Sequence, residues 1–148
     1  MGTLKLTSPA FPNNSTIPDK YTCQGEDISP SLNISGIPEN ATSLALIVDD
    51  PDASGKTWVH WVMWNIPLVS EIDGNNPPKS AVQGVNDFGN RGYGGPCPPS
   101  GTHRYMFKLY ALDTLLNLGS NSRKADMEKA MNGHILDQTV LVGLYKKT

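Results

Sequence analysis

An all-β fold, a two-sheet β-sandwich with one short helix near the C-terminus, is the class this sequence predicts, and three observations carry it. Fourteen glycines and twelve prolines, 26 of 148 residues, cut the chain into pieces too short for a helical bundle. Seven of those pieces read as strands, either by period-two alternation or as a short unbroken apolar run. One stretch alone has a convincing helical pattern, and it comes late, which argues against the alternating order of a parallel α/β sheet.

The expected strands span residues 3–7, 31–35, 43–49, 57–66, 81–86, 104–112 and 138–145, each bounded by Pro, Gly, Asn or Asp. The run from Leu44 to Val48 is apolar at every position, which predicts a central strand covered on both faces. In the 57–66 strand, alternation puts His60, Val62 and Trp64 on one face and Val59, Trp61 and Met63 on the other. The helix is expected over 123–132, with Asn121 and Ser122 as cap residues, Met127, Ala130 and Met131 inward, and Gly133 as its stop. The predicted core includes Leu44, Leu46, Val48, Trp61, Met63, Phe107, Leu109, Val140 and Val142. The length suits a single domain over residues 1–148.

The richest stretch runs from Gly92 to Tyr105, where four glycines and three prolines lead into the 104–112 strand. Glycine lets a ligand approach the main chain and proline stiffens it, so the result is either a rigid anion-holding loop or a surface turn before a core strand. His103 and Tyr105 fall on one face of that strand and point the same way. Three carboxylates, Asp49, Asp50 and Asp52, stand where the 43–49 strand ends. Their repulsion and desolvation require compensating partners, unless they are a solvated turn. His60, in the middle of a strand holding all three tryptophans, needs a hydrogen-bond partner or a ligand.

A formal net charge of -2, with no run of Lys or Arg interleaved with aromatics, argues against nucleic acid as a partner. No window reaches transmembrane length and no signal-peptide run precedes residue 6, so a cytoplasmic location is expected. Cys23 and Cys97 are the two cysteines. They form one bridge or remain two thiols, and a reducing cytoplasm favours thiols. Their isolation argues against a zinc site.

Taken in order and spacing, Asp49-Asp50-Pro51-Asp52-Ala53, His60-Trp61, Gly92-Tyr93-Gly94-Gly95-Pro96-Cys97-Pro98-Pro99 and Gly101-Thr102-His103-Arg104-Tyr105 resemble the phosphatidylethanolamine-binding protein family. The Tyr21–Pro30 segment, Tyr-Thr-Cys-x-Gly-x-x-x-Ser-Pro, is similar to its prokaryotic Raf kinase inhibitor-like branch. The resemblance implies a β-sandwich with a small pocket at one end for phosphate-like anions, including the phosphoethanolamine headgroup. Carried over by motif, that pocket contains Asp50, Asp52, His60, Gly94, Pro96, His103 and Tyr105. It also implies that Cys23 and Cys97 lie close together, with free thiols still expected. Animal members carry an extra C-terminal helix beside the pocket, whereas this sequence runs three residues past Tyr145, so gating by such a helix is not expected.

Two functions compete at this level. One is a binding and regulatory module for a small anion, with a kinase or a serine protease as the partner that the resemblance implies, and with no cofactor, metal or catalytic residue. The other is a hydrolase of a phosphate or acyl ester, because two His, two Asp and a Tyr suffice for acid–base chemistry. Against the hydrolase, no Gly-x-Ser-x-Gly elbow and no His-rich metal motif is present, and Ser54 and Ser100 are the nearby nucleophile candidates. A metal-bound variant would use Asp50, His60 and His103. A homodimer is expected to cover apolar surface around residues 141–145.

Overall fold

The computed structural model describes residues 2–148. Its elements are β1 (Lys5–Thr7), β2 (Ser15–Thr16), β3 (Leu32–Ser35), β4 (Ser43–Asp50), β5 (Trp58–Ile66), β6 (Glu71–Ile72), β7 (Val82–Gln83), β8 (Thr102–Leu112), α1 (Lys124–Met131) and β9 (Ile135–Lys146). Every expected strand has a counterpart, although the 81–86 segment pairs only over Val82–Gln83. β2 and β6 leave no sequence signal, because two residues cannot show a period.

Six strands form one sheet in the order β2-β9-β8-β4-β5-β7, and three form a smaller one in the order β1-β3-β6. Between the sheets, Leu6, Leu32, Ile34 and Ile72 meet Leu46, Val48, Trp61, Met63, Phe107, Leu109 and Leu141. On the other face of the large sheet, Met127 and Met131 of α1 join Ala45, Ile47, Val62 and Trp64 in a second apolar cluster. β4 therefore lies between two packed layers and is buried at all eight positions, which is why its sequence shows no polar alternation before the aspartates.

The helix starts later than its expected caps. Arg123 is the N-cap, and its backbone N–H donates to the Asp126 carboxylate at 2.9 Å. That half of a capping box also puts a negative charge on the first turn. Asn121 instead accepts from Arg91.

β9 corrects the expected core. Its pairing with β8 sets Leu141 opposite Phe107, Gly143 opposite Tyr105 and Tyr145 opposite His103, so those residues share the sandwich face. Val140 is 45% exposed and Val142 is only half-buried, since both fall on the outer face. In a run where neighbouring residues are all apolar, the partner strand decides the phase and composition does not. Gly143 marks the true inward face, because a Cβ there would stand 2.5 Å from the Ile17 side chain. The surface that motivated a homodimer narrows accordingly to the outward residues of this strand.

Cys23 and Cys97 are bridged, contrary to the expected free thiols. The main chain brings them together, with the Cys23 N–H donating to the Pro96 carbonyl at 3.1 Å and the Cα atoms 5.5 Å apart, within the span a disulfide can bridge. A lasting bridge is at home in oxidising compartments and in proteins of hyperthermophiles, so the argument from a reducing cytoplasm to free thiols fails for this pair. No helix among the described residues is long and apolar enough to cross a membrane.

Two outcomes follow. The bridge closes a loop across a sequence separation of 74, so reducing it should lower the unfolding free energy by roughly 4 kcal/mol in the chain-entropy description. Urea titration with and without reductant measures this, and a change below about 1 kcal/mol would contradict it. Leu141→Ala should cost about 2–4 kcal/mol while Val140→Ala stays within about 0.5 kcal/mol. Equal costs in thermal or urea unfolding would refute the β9 phase.

Candidate functional site

The site begins where β4 leaves the core. Asp49 points toward the helix layer, fully buried, and its Oδ2 accepts from Lys108 at 3.1 Å and Lys124 at 2.8 Å. Asp50 points to the opposite face, 3% exposed. Its Oδ2 accepts from His103 Nδ1–H at 2.6 Å and its Oδ1 from the Asp52 backbone N–H at 2.8 Å. Asp52 faces Arg104 rather than the cavity, in a forked pair of 3.0 and 2.9 Å. Hydrogen bonding by Arg104 holds the Asp52 carboxyl down to about 2. Each of the three carboxylates thus has its own side-chain partner, Lys108 and Lys124 for Asp49, His103 for Asp50 and Arg104 for Asp52.

His60 reaches the same face through a β-bulge. Val48 pairs with Trp61 but the next residue, Asp49, pairs with Val59, so His60 is the extra residue on its strand. A bulge resets the alternation. His60 consequently joins Trp61 on the sandwich side, while Val59 falls in the helix-side cluster. This reverses the face expected for both His60 and Val59. The ring stands edge-on to Tyr105 with centroids 5.1 Å apart.

The glycine-rich loop closes over these rings. His60 Nδ1–H donates to the Gly94 carbonyl at 2.7 Å, and the Gly94 N–H donates back to the His60 carbonyl at 2.9 Å. Tyr93 donates its hydroxyl to the Tyr21 carbonyl at 2.7 Å, and the Gly95 N–H donates to Asp27 at 2.8 Å. The approach at Gly95 is so close that a Cβ would sit 2.5 Å from the Tyr21 carbonyl oxygen, so only glycine fits. Pro96 is buried behind the loop and accepts from Cys23.

These elements enclose a cavity of about 260 Å³ lined by Asp50, Ala53, Ser54, Trp58, His60, Phe88, Cys97, Pro98, Pro99, His103 and Tyr105. Of the residues expected at the site, Asp50, His60, His103 and Tyr105 line it. Gly94 and Pro96 position the wall, and Asp52 anchors the β4 exit to β8. Trp58 and Phe88 add an aromatic lip, their rings 5.5 Å apart and edge-on. Phe88 is 44% exposed. An aromatic placed beside Gly89 in a polar turn was its sequence signal.

Chemically, both imidazoles spend Nδ1–H on a fixed acceptor, which leaves Nε2 as the unengaged nitrogen of each ring. Burial pushes the His60 pKa down, with partial compensation from its bond to Gly94, so its Nε2 is an acceptor at neutral pH. Burial pushes the Tyr105 phenol up, so its hydroxyl keeps its proton. Neither Lys nor Arg lines the cavity.

Comparison with known proteins agrees with this architecture. Residues 7–146 match the family profile described as phosphatidylethanolamine-binding protein. A Methanothermobacter thermautotrophicus protein named UPF0098 is 51% identical, the match covering 97% of this chain and 99% of that one. A Chlamydia trachomatis crystal structure, described as a phosphatidylethanolamine-binding protein homologue, superposes with a TM-score of 0.95 at 42% identity over the full length of both chains. Escherichia coli YbcL, described as a member of the mammalian family of that name, gives 0.92 at 34% identity, covering 98% of this chain and 99% of that one. The chain belongs to the phosphatidylethanolamine-binding protein family.

Proposed function

We propose that the cavity binds a small phosphate-type anion, free or as a phosphoethanolamine-like headgroup, without making or breaking a bond. The observation that supports this best is the pair of imidazoles whose Nδ1 atoms are tied back, to Asp50 and to Gly94, beside the Tyr105 hydroxyl in one cavity. Asp50 cannot touch an anion favourably and acts through His103 by fixing its tautomer and supporting its cation. Protonated, His103 offers Nε2–H as a charge-assisted donor, and Tyr105 offers a neutral one. His60 offers a lone pair, so the preferred ligand brings a proton, as a phosphate monoanion does. A phosphorylated side chain of a kinase or a serine protease presents the same group on a macromolecule. Ser54 lines the cavity, yet among the described residues no hydrogen bond joins it to either imidazole, which supports binding over turnover.

One or two such contacts, at roughly 1.5–3 kcal/mol each, correspond to dissociation constants from tens of millimolar down to tens of micromolar. His103 is 9% exposed and hydrogen-bonded to Asp50, so alanine there would also strip Asp50 of its partner. His103→Asn keeps a donor near the Nδ1 position and removes the cavity-facing nitrogen. It should weaken inorganic phosphate binding about ten- to hundredfold with the far-UV circular dichroism unchanged. Parent-like affinity in calorimetry would end the anion assignment.

The His60 shift gives a second outcome. In the free protein the folded-state pKa lies below the unfolded one. The unfolded chain therefore takes up the proton first, and this contribution is lost as pH falls below about 6.5. A bound monoanion that shares a proton with Nε2 reverses the bias, so binding should take up protons near pH 7.5 and weaken as pH rises. Calorimetry in two buffers of different ionisation enthalpy reads the uptake directly. Zero uptake in the parent, or the same uptake in His60→Gln, would show that His60 does not meet the ligand.

A further inference from the structure

The disulfide forms part of the cavity and not only of the scaffold. Cys97 lines it together with Pro98 and Pro99, while Cys23 is exposed on the outer surface. The loop is fastened unevenly on the two sides of this bridge. Before it, Tyr93 is held to Tyr21, Gly94 to His60, Gly95 to Asp27 and Pro96 to Cys23. After it, residues 97–101 make no hydrogen bond among the described residues until β8 begins at Thr102. The bridge is the last fixed point before two prolines that form one wall of the cavity.

We propose that Cys23–Cys97 is a thiol-exchange site through which a dithiol reductant loosens that wall. One thiolate of the dithiol attacks Sγ of Cys23, the more exposed of the two residues. The Sγ–Sγ bond breaks, and Cys97 leaves as a thiolate that takes a proton from water. The second thiol of the reductant attacks the mixed disulfide, closing the reductant's own disulfide and freeing Cys23 as a thiol. Two electrons and two protons pass from the dithiol to the bridge. Exposed bridges are the more readily exchanged class, and Cys23 is an exposed residue. Neither apolar cluster contains either cysteine, so the sandwich persists while residues 97–101 gain freedom. A wall that is ordered only on binding lowers affinity, because the ordering entropy is then charged to the complex. The effect on affinity rests on the anion reading above, whereas the effect on the wall does not.

The test uses the full chain, oxidised, then reduced with dithiothreitol under native conditions, with thiols counted, far-UV circular dichroism recorded and backbone amide order parameters measured by NMR relaxation. Reduction should yield two thiols and an unchanged strand spectrum. Order parameters should fall at Cys97, Ser100 and Gly101 and stay high at Gly94 and Gly95. Inorganic phosphate should bind about tenfold more weakly and recover on reoxidation. The Cys23→Ala/Cys97→Ala protein should behave as reduced and ignore dithiothreitol. A bridge that resists dithiothreitol until the protein unfolds, or a reduced wall as ordered as the oxidised one, overturns the proposal. If the oxidised protein binds no phosphate, the anion reading fails, and the order parameters alone then decide whether the bridge holds the wall. Binding in the oxidised form that does not change on reduction overturns the control of affinity.

Discussion

Two adjacent carboxylates at the end of a strand covered on both sides must each find a hydrogen-bonding partner, on opposite faces, and much of this molecule is arranged by where those partners stand. Asp49 turns toward the helix layer and takes Lys108 from β8 and Lys124 from the first turn of α1. It thereby fixes the single helix against the sheet at the edge of the cluster made by Met127, Met131 and Trp64. Asp50 turns the other way and takes His103. Removing one partner from a buried pair of this kind leaves an uncompensated charge at a cost of about 3–5 kcal/mol. The sequence is thus constrained at Lys108, Lys124 and His103 by a decision made on β4.

The second constraint is the bulge at His60. Without it, strict alternation would place the imidazole on the helix side with Val62 and Trp64, away from the Gly94 carbonyl. One extra residue turns it to the sandwich side, where the Gly94 carbonyl receives Nδ1–H. The bulge and the loop therefore need each other. A second irregularity lies further along β5, between the Leu44–Ile66 and Leu46–Met63 pairs. There Asn65 adopts φ 54°, and its side chain donates to the Leu116 carbonyl at 3.0 Å and accepts from the Leu116 N–H at 2.8 Å. Between the two bulges, Trp61 and Met63 face one core while Val62 and Trp64 face the other.

What was legible in the sequence was whatever a local pattern determines. The unbroken apolar run of β4, the inward face of β8 and the glycine stop of α1 depend on near neighbours, and each is where composition placed it. The site was legible as an inventory, since Asp50, His60, His103 and Tyr105 do share one cavity. What escaped depends on partners distant in sequence. The phase of β9 is set by β8, the turn of His60 by a register shift against β4, and the role of Asp52 by Arg104. The bridge escapes for a different reason, because compartment alone favours thiols and the geometry that joins the two cysteines is supplied only by the folded main chain around Pro96.

The absence of Lys and Arg from the cavity lining decides what kind of site this can be. A guanidinium would hold a dianion at any ordinary pH through a bidentate fork. For the proposed anion, two imidazoles with tied Nδ1 atoms would instead read the sum of charge and proton on the ligand, because each Nε2 is a donor or an acceptor according to its protonation. Burial biases His60 toward the acceptor state, while the Tyr105 hydroxyl stays a donor. The Asp50 carboxylate lies directly behind His103 and no Lys or Arg among the described residues lines the cavity, so the lining offers no permanent cation to draw the proposed anion from a distance. On that reading, recognition would depend on short-range contacts inside a small volume, and on the walls being in place before the ligand arrives. The tethering of the glycine-rich loop, on the two sides of Cys97, would then be as consequential for affinity as the groups that touch the ligand.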